Sequence, residues 1–192
     1  MSTVIVLGLL WLGIELAATA FAEDLLQRRV ESRVSGIAES DVSIDSFPLA
    51  TRLATERPVE RTTVTLRGVE RAGVTFDRVV VRLNDLEVDR GPLIRGRFRA
   101  TDLGSGSITA IASLDEIAEE AGAASELISD PATIEVSGGQ LVFAVGGVGE
   151  IGIDLPVEVL PCDPAASVAN RKVVLSCSVN AIPELLKRVY GG

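Results

Sequence analysis

From Val42 to Val179 one pattern recurs along this chain: apolar residues at every second position, in short runs punctuated by Gly, Pro, Asn or Asp. Strand geometry sends successive side chains to opposite faces, so each run reads as a β-strand with one face buried. Val42 and Ile44 alternate with polar residues, as do Thr62, Val64 and Leu66, and then Val74 and Phe76. Val79, Val81 and Leu83 follow, then Leu86 and Val88; Leu141, Phe143 and Val145 repeat the pattern, as do Ile151 to Val159 and Val173 to Val179. Gly138-Gly139 is a hairpin signal and Gly91-Pro92 a turn signal. Strands in sequence with few helices between them predict an antiparallel sheet rather than a βαβ fold.

Helical spacing interrupts this pattern in a few places. Leu26, Val30, Val34 and Ile37 step by four, four and three, one face of a helix that Leu25 widens. A short turn is expected over Leu49 to Leu53. Ser113 and Glu116 form a capping box ahead of the stripe Leu114, Ile117, Ala118 and Ala121. A closing helix is expected over Ile182 to Val189. The fold class is therefore α+β: a long N-terminal helix packed on a strongly twisted, curled antiparallel sheet, with one or two short additional helices.

The first 22 residues place the chain in a compartment. Val4 to Ile14 is apolar without a break, and Ala20-Phe21-Ala22 has the small-x-small form of a signal peptidase site. Two features fit poorly. No Lys or Arg precedes the run, and Glu15 lies inside it, where a carboxylate at mid-membrane costs about 3 kcal/mol. Three readings stay open: a cleaved signal, an uncleaved signal-anchor, or a buried helix. Without cleavage the apolar run and the amphipathic helix form one rod. The expected organisation is 1–22 as signal peptide or signal-anchor and 23–192 as a single lipid-binding-like domain.

Composition narrows the chemistry. The chain has no histidine, which removes Ser-His and Cys-His triads and the commonest metal ligand. Its two cysteines, Cys162 and Cys177, are too few for a zinc site and are not spaced as C-x-x-C. In an exported protein they read as one disulfide, contributing about 3 kcal/mol. Aromatic residues make up 4% of the chain and the net charge is -9, both unfavourable for nucleic-acid binding. Charge is also uneven. Arg67 to Arg99 carries eight Arg against five carboxylates, whereas Ala100 to Asp163 has twelve carboxylates and no base. The first stretch suits an anionic surface and the second would be repelled by one. Asp115, Glu116, Glu119 and Glu120 read as a solvated helix face, because calcium ligands converge from a loop. No cofactor and no metal is expected.

Gly147 to Gly152 spells G-x-G-x-x-G. A dinucleotide site needs a helix to start there, and Ile-Asp-Leu-Pro-Val-Glu-Val is a strand pattern instead. The glycines read as a turn between strands.

A curled sheet over a helix, with few aromatics to fill it, suggests an apolar groove suited to acyl chains, although alternation equally describes a filled core. Phe47 and Leu49 sit at a Pro-broken strand end, where they line a groove mouth or pack in the core, and Leu53 follows them. Leu93 and Ile94 follow a Gly-Pro turn and suggest an apolar tip for membrane contact. Arg95, Arg97 and Arg99 share one strand face and offer planar forks to a phosphate headgroup, or simply decorate an exposed face.

The run Ala22-Glu23-Asp24, the amphipathic helix, Val42-Ser-Ile-Asp-Ser-Phe-Pro-Leu49 and Thr51-Arg52-Leu53 resembles the LmeA-like phospholipid-binding domains of actinobacterial cell envelopes. Val79 to Val88, Gly104 to Ser107 and the helix at Leu114 are similar too. Ser46 stands where that family usually has Gly. The resemblance implies half of a tubular lipid-binding module, a phospholipid ligand, and a place in the periplasm or on the outer face of the cytoplasmic membrane. It also implies a link to lipoglycan or envelope lipid assembly. The reading is thus a non-enzymatic phospholipid-binding protein. The alternative is an anchored interaction module for an envelope biosynthesis protein partner. A carboxylate-dependent glycosidase is a third reading, but the sequence shows no facing carboxylate pair.

Overall fold

The computed structural model describes residues 2–33, 36–71, 73–93, 99–120, 134–137, 140–145, 149–154, 162 and 164–182. In chain order these form α1 (Ser2–Arg33), β1 (Glu39–Ile44), α2 (Leu49–Ala54), β2 (Val59–Arg71), β3 (Val74–Val88), α3 (Arg90–Leu93), β4 (Ala100–Ser113) and α4 (Leu114–Glu120). The remainder are β5 (Ile134–Ser137), β6 (Gln140–Val145), β7 (Gly149–Asp154), β8 (Ala165–Ala169) and β9 (Lys172–Val179). The main sheet is antiparallel in the order β1-β2-β3-β4-β9-β8, and β5-β6-β7 is a separate three-stranded meander. The architecture is the expected α+β arrangement of a long helix on a curled antiparallel sheet.

The apolar run and the amphipathic stretch form one helix, α1, with no break at Ala22. Leu26 and Val30 are buried and Leu25 is half-buried, as their spacing requires. Val34 lies outside the described residues. Ile37 lies beyond the helix end and packs on the core from the connecting segment.

Cross-strand rows explain the alternation. Val42, Val64, Val81, Ile108 and Cys177 stand opposite one another across five strands, and all five are buried. A second row, Leu66, Val79, Ala110 and Leu175, lies beside it on the same face. A strict period of two would put Phe76 and Val79, or Leu83 and Leu86, on opposite faces. All four are buried. The β3–β4 register shifts between Phe76 and Arg78, and Asp85 takes a left-handed φ of 53°, so each odd step is absorbed by the backbone.

Local turn chemistry sets the connections. Asn170 and Arg171, with φ of 54° and 57°, form the two-residue turn of the β8–β9 hairpin. The Gly91-Pro92 turn is a single turn of helix, α3, and Asp89 Oδ1 accepts the Gly91 N–H at 2.9 Å. At the expected capping box, Ser113 Oγ accepts the Asp115 N–H at 3.3 Å ahead of α4, whose Leu114, Ile117 and Ala118 are buried. Ala121 lies outside the described residues. Gly149 to Gly152 of the G-x-G-x-x-G segment are part of β7, so they are strand, neither the start of a helix nor the expected turn; Gly147 and Val148 lie outside the described residues. The Cys162–Cys177 disulfide is formed, with Cα atoms 6.1 Å apart. The expected closing helix lies outside the described residues from Pro183 onward, as do residues 155–159 of the expected strand to Val159.

Candidate functional site

The site is built where α1 meets β1 and α2. α2 begins after Pro48, which offers no side-chain cap to the free N–H groups of its first turn. Glu15 supplies that cap from 35 residues earlier. Its Oε2 accepts the Ala50 N–H at 2.7 Å, and its Oε1 accepts the Thr51 N–H at 3.1 Å and the Thr51 hydroxyl at 2.8 Å. Glu15 is 1% exposed. A buried carboxylate is tolerated only when hydrogen bonds replace its water, and three do so here. The charge that fits a membrane segment poorly is therefore a joint between two helices.

The same helix is fastened to β1 further along. Glu23 Oε1 accepts the Ile44 N–H at 2.8 Å, and Gln27 Nε2 donates to the Ser40 carbonyl at 3.2 Å. Glu31 Oε1 accepts from Gln27 Nε2 at 3.1 Å and from Ser40 Oγ at 2.9 Å. Those two donors hold the Glu31 carboxyl below the ordinary glutamate range. Polar contacts thus follow α1 from Glu15 to Glu31, alongside the buried apolar stripe Ala22, Leu26 and Val30.

Above Glu15 the helix changes character. Leu9, Leu10, Trp11, Leu12, Gly13 and Ile14 are all exposed. Six consecutive helical residues turn through more than a full circle, so the apolar surface runs all the way round. Phe47, 58% exposed, leans its ring edge-on against Trp11, with centroids 5.7 Å apart. Among the described residues, no helix is long and apolar enough to cross a membrane.

The candidate lipid-contact residues separate in space. Phe47 points outward, whereas Leu49 is buried at 1% exposure and Leu53 is half-buried against the core. The peptide between Phe47 and Pro48 is cis. Arg99 is exposed just before β4, and its carbonyl accepts the Asp89 N–H at 2.9 Å. Leu93 closes α3. Ile94, Arg95 and Arg97 lie outside the described residues, as does the Leu93 side chain. A polar cleft of ≈ 610 Å³ is lined by Glu56, Arg57, Glu87 and Asp89, together with Pro58, Val88, Gly91 and Thr101. Its mixed charge suits a polar partner rather than acyl chains.

Sequence reasoning missed Glu15 and Trp11 as parts of this site. The signal for Glu15 was present as a lone carboxylate in an apolar run. The signal for Trp11 was that it is the chain's only Trp.

Residues 15–183 match the family model described as LmeA-like phospholipid-binding. No curated protein and no solved structure matches the chain.

Proposed function

We propose, starting from the fact that this chain belongs to the LmeA-like phospholipid-binding family, that it is a non-enzymatic phospholipid carrier or holder of the cell envelope. The observation that carries the reading is the family match from residue 15 to residue 183. The acyl chains lie in an apolar groove between helix and sheet, and Phe47 marks its mouth. Arg95, Arg97 and Arg99 offer the headgroup bidentate donors. The protein works in the periplasm or on the outer face of the cytoplasmic membrane. The Cys162–Cys177 disulfide supports that reading, because such bonds persist in oxidising compartments. Its role there is to support lipoglycan or envelope lipid assembly.

The test is lipid uptake by the full chain. Purified protein is expected to carry phospholipid detectable by mass spectrometry after organic extraction. Once delipidated, it is expected to take up labelled phospholipid from donor vesicles. Failure of both removes the reading. The polar cleft near Glu56 and Asp89 gives the competing interaction module its foothold, and that module predicts a stable protein partner and no lipid uptake.

A further inference from the structure

The sequence alone left three fates open for the N-terminal segment, and packing separates them. A cut after Ala22 removes Glu15, and with it three acceptor contacts to the start of α2. It also removes Ala22, which is buried in the core. Independently, the family match begins at residue 15, eight residues before a chain cut after Ala22 would start. Residues 15–22 therefore belong to the folded domain.

What lies beyond Glu15 cannot be satisfied by one side of a protein partner. Exposure runs right round the helix from Leu9 to Ile14, and a helix that is apolar on every side needs an apolar medium on every side. Charge agrees with lipid as that medium. Between Leu9 and Ala22 the only ionisable side chain is Glu15, which is buried; the exposed charges resume at Asp24, Arg28 and Asp45. The neutral part matches hydrocarbon and the charged part matches water and headgroups. Trp11, inside the neutral part, meets the exposed Phe47, and aromatic rings of this kind concentrate near bilayer surfaces. Ser2 to Ile14 rises about 20 Å as a helix. That is enough to reach through the hydrocarbon of one leaflet, about 15 Å.

We infer that the apolar end of α1 is retained in the mature protein and, with Phe47, forms a docking tip that enters one leaflet of a phospholipid bilayer. Glu15 keys that tip to α2, so the tip sets the orientation of the domain. The inference takes its partner chemistry from the lipid-binding reading and shares Phe47 with it, but the retention of the apolar end of α1 and its entry into the bilayer are a separate claim.

The test has two parts, both on the full chain. Intact mass of protein recovered from an exporting host is expected to include Glu15; a mature chain starting at Glu23 overturns the inference. The single Trp then reports depth. With vesicles of phosphatidylglycerol and phosphatidylcholine, Trp11 emission is expected to shift to the blue and to be quenched by brominated acyl chains. Phe47→Asp is expected to weaken vesicle binding about tenfold, from the apolar area it withdraws. Because Phe47 is exposed, the variant is expected to keep the native circular dichroism; Leu10→Asp, equally exposed, is the second variant and is expected to weaken binding as well. An unquenched Trp11, or vesicle binding unchanged in both variants, overturns the tip. Labelled-lipid uptake is measured separately. Uptake without quenching sinks the tip and leaves the lipid-binding reading standing, whereas quenching without uptake does the reverse.

Discussion

The two halves of α1 are one continuous helix with opposite relations to the rest of the molecule. Below Glu15, apolar Ala22, Leu26 and Val30 are buried while Glu23, Gln27 and Glu31 bond to β1. Above it, Leu9 to Ile14 are more apolar still, yet every one is exposed. Hydrophobicity by itself therefore does not decide burial. What differs is the presence of polar side chains that fix the helix to a definite place on the sheet. The lower half has them and is docked; from Leu9 to Ile14 the upper half has no polar side chain and stays exposed, touched by the ring of Phe47 at Trp11.

The sharpest way to break this contrast is to make the same kind of truncation in both halves. Leu26→Ala opens a hole in a packed interior and is expected to cost about 3 kcal/mol in urea denaturation. Ile14→Ala, with the side chain already exposed, is expected to change stability by less than about 0.5 kcal/mol. Comparable losses would mean that the upper half is packed as well. Next in size is Glu15→Ala, which strands the Ala50 and Thr51 N–H groups beneath the helix. A loss of about 2 kcal/mol is expected, together with faster amide exchange at those two residues. Glu15→Gln keeps an acceptor and is expected to recover part of it. If Ala50 and Thr51 exchange as slowly in Glu15→Ala as in the parent, the joint between the helices is not there.

The smallest effect concerns pH. The Glu31 carboxyl titrates below the ordinary glutamate range in the folded chain, so the unfolded chain binds its proton first as pH falls. Its contribution is fully present above the unfolded value and is lost as pH falls through the folded one. Glu31→Gln is expected to flatten the acid limb of a stability-against-pH curve slightly and to leave the neutral region alone. An unchanged acid limb would sink this account of the lower half.

Much of the sheet could be read from the chain because its information is local. Val42, Val64, Val81, Ile108 and Cys177 each sit in their own alternating run, and burial follows from period alone. The odd steps from Phe76 to Val79 and from Leu83 to Leu86 were visible as breaks in the pattern. Their cause, a register shift and a left-handed Asp85, is a backbone adjustment that any short polar residue can make. Leu49 shows the limit. Its place beside Phe47 suggested that both shared one role, yet Pro48 separates a buried side chain from an exposed one. Glu15 was illegible for a different reason. Two of its three donors, the Ala50 and Thr51 N–H groups, are backbone and carry no side-chain signature, and the third, the Thr51 hydroxyl, lies 36 residues away.

The contacts from α1 to β1 reach past the fold itself. β1 is the outermost strand on its side of the sheet, and a bare outermost strand offers its backbone to any extended chain that drifts by. Here the outward Ile44 N–H and the Ser40 carbonyl are already engaged by Glu23 and Gln27. A second molecule therefore finds that rim's ladder interrupted at two places, each occupied by a side chain of the protein's own helix.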